Sequence, residues 1–443
     1  MDSENEERIP LFLFTFNRNK KNDVEGAFVT KLLEVLPKKI SLLYVFGFEE
    51  LCSIMEGCFP EIAHKKLVDI NEELLMALRK KYSDYGVKFR TLALVQRGAM
   101  GLTAITPYYS KFDDIRLSSS ACGYGYSSMK GAVGIRLRYK TGTRDGKKKE
   151  VELTLVNAHL SAYEGEYYYR RRNEQLIQLM RSMDFGDGYS VLKPRAHCFI
   201  MGDLNYRTSK AYDRSSTITK DIIDLQGEPS SKDDVERVVE RYDELTLGRK
   251  AGEVLIGFSE GCVSFPPTYK YHTNTAIYNQ KRSPSWCDRI FYLSTYREHN
   301  SWRLRESETD KTATPEVKEY NSIPSLLFSD HRPVYLSIDL PITPPESIIS
   351  PSGCLQITSL EEDAIHNHLS ENDEISPNIA NGPTLIYMKT IQLDRFIQNL
   401  ISPTSDWMIG YFLWCIVTYK GRFCVSIVVL LCWFLFRIFI SHP

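Results

Sequence analysis

The stretch HCFIMGDLNYR, residues 197–207, is an apolar run that ends on a polar tip. Four apolar residues, Cys198 to Met201, are too few for a buried helix and suit a strand covered on both faces. The tip carries Asp203 and Asn205. The same design recurs along the chain: IPLFLFTF (9–16) stops at Asn17, and ISLLYVFGF (40–48) stops at Glu49 and Glu50. EVELTLVNAHL (150–160) carries Asn157 and His159 near its end, and RPVYLSIDL (332–340) starts after Ser329-Asp330-His331. KFRTLALVQ (88–96), KGAVGIRLRY (130–139) and DRIFYLS (288–294) add strands, and Asp145-Gly146 joins 130–139 to 150–160 as a hairpin. A helical pattern covers 164–183, and another, capped by Asp23, carries Phe28, Leu32, Leu33 and Leu36. Continuous and alternating strands mixed with helices predict two mixed β-sheets packed face to face with helices outside, a four-layer α/β sandwich. In such a packing the polar strand ends gather at one rim.

Hydrophobic residues are 43% and charged residues 25% of the 443, which excludes wholesale disorder. The formal net charge of −1 offers no basic excess for a nucleic-acid partner. That average hides three unlike parts: net +3 over 1–340, −7 over 341–406 and +3 over 407–443. The ten cysteines show no Cys-x-x-Cys pair and no zinc-like cluster, so reduced thiols in the cytosol are expected. The acidic opening MDSENEERIP has neither a signal peptide's nor a transit segment's pattern.

The far end differs. FCVSIVVLLCWFLFRIFI (423–440) contains one charge, Arg437. Its eighteen residues make about 27 Å of helix, close to the roughly 27 Å hydrocarbon thickness of an endoplasmic-reticulum bilayer. Lys420 and Arg422 flank it, as on a cytoplasmic side. The expectation is a single-pass C-terminal anchor with the rest of the chain in the cytosol, and with 407–419 too short to span and suited to the interface. Seven prolines and an acidic, Ser- and Asn-rich composition make 341–406 an expected flexible linker, in which only 385–401 has helical spacing, with Ile391, Phe396 and Leu400 as face residues. The organisation is thus a catalytic unit over 1–340, the linker over 341–406 and the anchor over 407–443.

A carboxylate at one strand end is ordinarily a turn residue. Asn17, Glu50, His159, Asp203, Asn205, Asp330 and His331 on five tips together supply what metal-assisted phosphate hydrolysis needs. One carboxylate holds a hard cation, a second activates water, amides grip phosphoryl oxygens, and an Asp–His pair meets developing charge.

GDLNYR (202–207) and PSWCDRI (284–290) resemble the two signature motifs of the inositol polyphosphate 5-phosphatases, in the endonuclease/exonuclease/phosphatase superfamily. The resemblance extends in order through TFN (15–17), GFEE (47–50), KGAV (130–133), NAHLSA (157–162), RRN (171–173), FPPTYKY (265–271) and SDHRPV (329–334). It implies a DNase I-like fold and a Mg²⁺-dependent enzyme that removes the 5-phosphate of phosphatidylinositol 4,5-bisphosphate, with lipid and membrane as partners and no protein partner expected. It implies Glu50 and Asn17 as metal ligands and Asp203 as the group that activates water. Asn205 and His159 would hold the scissile phosphate, and His331, oriented by Asp330, would stabilise the transition state. Tyr269, Lys270 and Arg282 would contact substrate, with Lys281 as a helper. Arg289 would touch substrate or form an internal salt bridge, Arg172 and Asn173 would touch ligand or hold a helix, and Lys130 would face a phosphate or solvent. Two departures stand out: Glu49 replaces a Gln, either tuning the metal or pointing away, and Met129 replaces an Asn. A phosphodiesterase on the same scaffold and an inactive phosphoinositide-binding tether are the alternatives.

Overall fold

In the computed structural model, which describes residues 8–23, 26–144, 147–208, 232–279, 281–294, 314–345 and 388–441, strand β1 (Ile9–Asn17) sorts its side chains between two cores. Ile9, Leu11 and Leu13 join the cluster between the sheets, while Phe12, Phe14 and Phe16 face helices. This is the two-residue period of a strand buried on both sides. In the first sheet β1 is flanked by β12 (Val334–Leu340) and β2 (Leu43–Glu49), with β11 (Glu316–Ser322), β4 (Met100–Thr106) and β3 (Arg90–Arg97) completing the order β11-β12-β1-β2-β4-β3. The second sheet holds β5 (Phe112–Ala121), β6 (Gly131–Arg144), β7 (Lys147–His159), β8 (Ala196–Asp203), β9 (Phe258–Glu260) and β10 (Asp288–Leu293), in the order β5-β6-β7-β8-β10-β9. β1 runs parallel to β2 and β7 parallel to β8, so both sheets are mixed.

Helices α1 (Ala27–Val35) and α3 (Pro60–Lys81) pack Phe28, Leu32, Leu67, Leu74 and Leu78 on the outer face of the first sheet. α2 (Ile54–Gly57) is a single turn between them, closed by a Ser53–Glu56 capping box. Asp23 caps α1 as expected, accepting from the N–H groups of Ala27 and Phe28 at 3.1 and 2.6 Å. α4 (Glu166–Ser182) sets Leu176, Leu179 and Met180 on the second sheet, and α5 (Lys232–Tyr242) and α6 (Glu244–Lys250) follow β8 in the chain. The four-layer sandwich read from the sequence is the observed architecture. The hairpin turn Asp145-Gly146 lies outside the described residues, although β6 and β7 pair down to Arg144 and Lys147.

α2, α3, α5, α6, β4, β5, β9 and β11 are additional to the elements read from sequence. β5 and β11 escape an apolar pattern for a physical reason: between Phe112 and Ala121 at its ends the buried positions of β5 are Ser118 and Ser120, and β11 is a largely polar edge strand. Among the described residues the cysteines are free thiols.

The linker expected over 341–406 is corrected at its C-terminal end. Met388 is buried in the α4-side core, and residues from 392 onward form α7 (Gln392–Val417), which contains a π turn at Ile397–Ile401. Residues 346–387 lie outside the described residues. Phe396 and Leu400, expected as face residues of the helix, are exposed, because its buried positions are Asp394, Gln398, Ser402, Asp406 and Gly410. α8 (Tyr419–Ser441) follows. Both α7 and α8 are long and apolar enough to cross a membrane by length and composition, and Tyr419–Ile440 has a mean hydropathy of 2.6 with none of it buried.

His197 opens a testable consequence of the core. Burial at the start of β8 lowers its pKa to about 3. Because the folded value lies below the unfolded one, stability is intact above about pH 6.5 and falls as the unfolded imidazole takes up a proton. Between pH 6 and 4 the wild-type protein should lose about 1.4 kcal/mol per pH unit more than His197→Phe. Urea unfolding at several pH values measures this; parallel curves would refute it.

Candidate active site

The two parallel pairs direct their C-terminal ends to one rim. Asn17 pairs with Glu49 across β1 and β2, and His159 with Asp203 across β7 and β8. Antiparallel β10 then starts at Asp288 opposite Asp203. Gly202 permits this closeness: its φ is +134°, and a Cβ there would lie 2.0 Å from the Ala158 carbonyl oxygen. Beneath the rim, Asn157 ties the sheets together by donating to the carbonyls of Phe48 and Gly101, both at 3.2 Å.

Asp203 is the hub. Its Oδ2 accepts from Asn17 Nδ2 at 2.8 Å and lies 3.2 Å from His159 Nε2 and 3.9 Å from His331 Nε2. Its Oδ1 accepts from the Asn205 N–H at 3.1 Å. Asn205 and Glu50 have φ values of 58° and 48°, a left-handed conformation that Asn tolerates and that costs Glu about 1–2 kcal/mol. Such strain at two neighbouring tips is a mark of functional geometry. A cavity of about 260 Å³ opens beside them, with Lys20, Glu50, Lys130, His159 and Tyr163 on its walls.

Burial alone would raise the Asp203 carboxyl, but His331 foremost, then His159 and Lys130, hold it far below the ordinary range. Burial would lower His331; the carboxylates of Asp288 and Asp203 instead raise it to about 10, so it is a cation at neutral pH. His159 is lowered by burial and then by Lys130, with which its Nε2 is in contact. Burial also pushes Glu50 upward, and His159, Lys130 and Lys20 outweigh it to keep the carboxylate charged. Lys20 Nζ lies 3.1 Å from Glu50 Oε2.

Asn17, Glu50, Lys130, His159, Asp203, Asn205, Tyr269 and His331 all converge here. The Tyr269 ring stacks on His331 with centroids 4.5 Å apart. Lys270 pairs with Asp330 at 3.2 Å, and the Arg282 guanidinium lies 5.6 Å from the ring of Tyr163, with exposed Lys281 beside it. Three expectations need correction. Asp330 does not orient His331; Asp288 does, with its Oδ2 at 2.9 Å from Nδ1. Arg289 is fully buried and makes ion pairs with Asp243 at 2.7 Å and Glu260 at 2.5 Å, which leaves it no ligand face. Arg172 is equally buried, pairs with Glu244 at 2.7 Å and donates to the carbonyls of Ser161 and Tyr163; it shapes the wall. Asn173 accepts from the Tyr206 hydroxyl at 2.6 Å, a further wall contact.

Glu49 points inward, opposite to Glu50, and accepts from Thr15 Oγ1 at 3.0 Å. Burial, then Asp288 and Asp203, push its pKa well up, which disfavours a second negative charge beside Glu50. Met129 stands on the cavity wall. Arg207 was not assigned a role from sequence: it is buried, its Nε donates to the Asn205 carbonyl at 3.0 Å, and its guanidinium lies 4.4 Å from the ring of Tyr269. Its place in GDLNYR was the available signal.

Asp203, Asp288 and His331 present ligand atoms within 4.8 Å of one another. Without an ion there, the two carboxylates flank the imidazole and hold it charged. The oxygen donors of Glu50 and Asn17 suit a hard divalent cation. The donor chemistry therefore fits the expected ion on the Glu50 side.

The sequence profile described as endonuclease/exonuclease/phosphatase family 2 matches residues 14–337. Synaptojanin-2 of Rattus norvegicus is 24% identical over 318 residues, covering 68% of this chain and 19% of that protein. Type IV inositol polyphosphate 5-phosphatase 3 of Arabidopsis thaliana is 28% identical over 233 residues, 50% of this chain and 29% of that protein. The chain thus matches less than a third of the length of either relative. The crystal structure of the inositol polyphosphate 5-phosphatase domain of SPsynaptojanin, in complex with inositol (1,4)-bisphosphate and calcium ion, superposes with a TM-score of 0.58. It shares 22% identity and covers 82% of this chain and 90% of that one, a likeness of fold. With the profile spanning nearly all of the two sheets and the signature residues at one rim, the chain belongs to the inositol polyphosphate 5-phosphatase family within the endonuclease/exonuclease/phosphatase superfamily.

Proposed function

We propose that the protein is a Mg²⁺-dependent phosphoinositide 5-phosphatase that converts phosphatidylinositol 4,5-bisphosphate to phosphatidylinositol 4-phosphate. The observation that carries this reading is the Asp203 hub, a charged, buried carboxylate ringed by the donors Asn17, His159 and Asn205. Asp203 orients the attacking water and accepts its proton. His159 and Lys130 face the scissile phosphate, and cationic His331, held by Asp288, donates to the charge that grows on its oxygens. Lys270 and Arg282 sit where a neighbouring phosphate would be received, which suits a bisphosphate. When bound at Glu50 and Asn17, Mg²⁺ supplies neutralisation of the phosphoryl and leaving oxygens. The 5-phosphatase named among the relatives supports the reaction class. The apolar helices α7 and α8 support a membrane substrate, and α8 would anchor the protein in the endoplasmic-reticulum membrane with the catalytic unit in the cytosol.

Phosphate release from this lipid, with and without chelator, beside a DNA-nicking assay, tests the proposal. Release only with Mg²⁺ and no nicking is expected; nicking without release would favour a phosphodiesterase, and neither would favour an inactive tether. The two aspartates near His331 separate further. Asp288→Asn should lower kcat about 10²-fold or more with little change in KM. Asp330→Asn, which unpairs Lys270, should act mainly on KM. Equal effects of the two in steady-state kinetics would refute the assignment.

A further inference from the structure

The helix α7 is amphipathic in the sense opposite to that of a soluble surface helix. Its buried polar positions are Asp394, Gln398, Ser402 and Asp406, four residues apart, and Gly410 continues the row. Each meets a specific partner on the globular unit. Asp394 accepts from Arg181 of α4 through both carboxylate oxygens, at 2.8 and 3.0 Å. Gln398 exchanges two hydrogen bonds with the backbone of Ala121, at 2.8 and 3.0 Å, extending the end of β5. Arg97 donates to Ser402 Oγ, and Asp406 accepts from the Ser128 N–H at 2.6 Å. A four-residue step overshoots an α-helical turn by about 40°; the wider π turn at Ile397–Ile401 offsets part of that drift and keeps the polar row on one side.

The opposite side carries Leu393, Phe396, Leu400, Trp407, Met408 and Phe412, each more than half exposed. A contiguous apolar face of this size on a folded unit marks a surface that is covered in use. It continues directly into α8, which is apolar all round and unburied. Among possible occupants, that continuity selects a bilayer, since α8 offers no polar counter-face for a protein groove. Although α7 passes a length and hydropathy test for a span, its docked row would carry two carboxylates away from their partners into hydrocarbon.

We infer that α7 lies along the bilayer surface, polar row clamped to the catalytic unit and apolar face in the lipid, and so fixes the direction in which the active-site cavity faces. This rests on the reading of α8 as an anchor. The clamp reaches the cavity itself. Asp406 holds Ser128, and Ser405 Oγ donates to the Gly125 carbonyl at 2.6 Å, in the loop that leads to Lys130. Gly410 sits on Cys58, a cavity-wall residue; a Cβ on Gly410 would lie 2.7 Å from the Cys58 Cβ. α7 therefore grips two walls of the cavity and replaces a freely turning tether by a rigid mount.

A diazirine-bearing residue placed at Leu400, Phe412 or Leu430 of the full chain in phosphatidylcholine vesicles tests this without relying on turnover. Illumination should yield lipid adducts at all three positions. Lipid adducts at Leu430 alone, or protein–protein adducts at Leu400 and Phe412, would overturn the mount while sparing the anchor; none at Leu430 would overturn both. In kinetics, the full-length double variant Leu400→Glu/Phe412→Glu should hydrolyse a soluble inositol phosphate within twofold of wild type and vesicle lipid at least tenfold more slowly. Unchanged hydrolysis of vesicle lipid would overturn the claim that α7 orients the cavity.

Discussion

Asp203→Asn should cut turnover by about 10²–10⁴-fold while leaving the fold intact. The amide is close in shape to the carboxylate: its oxygen still accepts from the Asn205 N–H, and the contact given up is the one from Asn17 Nδ2, a second donor that an amide nitrogen cannot accept from. What is lost is the proton acceptor, which the cation His331 and its neighbours hold charged at neutral pH. The substitution also leaves His331 with one facing carboxylate, Asp288, so its cationic form is less favoured. Steady-state kinetics with a thermal melt as control measures the effect. A variant that keeps more than a tenth of wild-type kcat would mean that water is activated elsewhere.

Arg289→Met is expected to destabilise the protein by about 3–5 kcal/mol, the cost of breaking a buried ion pair from one side. Three charge-assisted bonds hold this guanidinium: one to Asp243 at 2.7 Å and two to Glu260 at 2.5 and 2.6 Å. Asp243 also caps α6 (Glu244–Lys250) through the Thr246 N–H at 2.9 Å, and Glu260 accepts from the Tyr320 hydroxyl at 2.6 Å. Methionine fills much of the volume but leaves Asp243 without its cation, and Glu260 with only Arg249, at 3.8 Å, in a dry interior. Denaturant unfolding measures the loss. Unchanged stability with a raised KM would return Arg289 to the substrate contacts.

These two residues show what was legible in the sequence and what was not. Asp203 follows an uninterrupted apolar run, so strand, strand end and polar tip can be read from one segment, and the same holds for Asn17 and Glu50. The partner of His331 could not be read that way. Asp330 is adjacent in the chain, whereas Asp288 arrives through the pairing of β10 with β8, forty-three residues from His331 in sequence. Arg289 and Arg172 sit in signature motifs, yet their roles depend on the counter-ions Asp243, Glu260 and Glu244, which only folding brings to them. α7 misled for a different reason. Hydrophobic periodicity reports the face turned to an apolar surface, and here that surface is not the protein core. The four-residue row Asp394, Gln398, Ser402 and Asp406 was the signal for the docked side.

The most direct measurement is the position of the phosphate removed. Full-length protein would be incubated with vesicles of phosphatidylinositol 4,5-bisphosphate and Mg²⁺, and the lipid products resolved as regioisomers. Phosphatidylinositol 4-phosphate as the product, absent with chelator and strongly reduced with Asp203→Asn, is the predicted result. Phosphatidylinositol 5-phosphate, or no monophosphate from the wild-type protein, would contradict it.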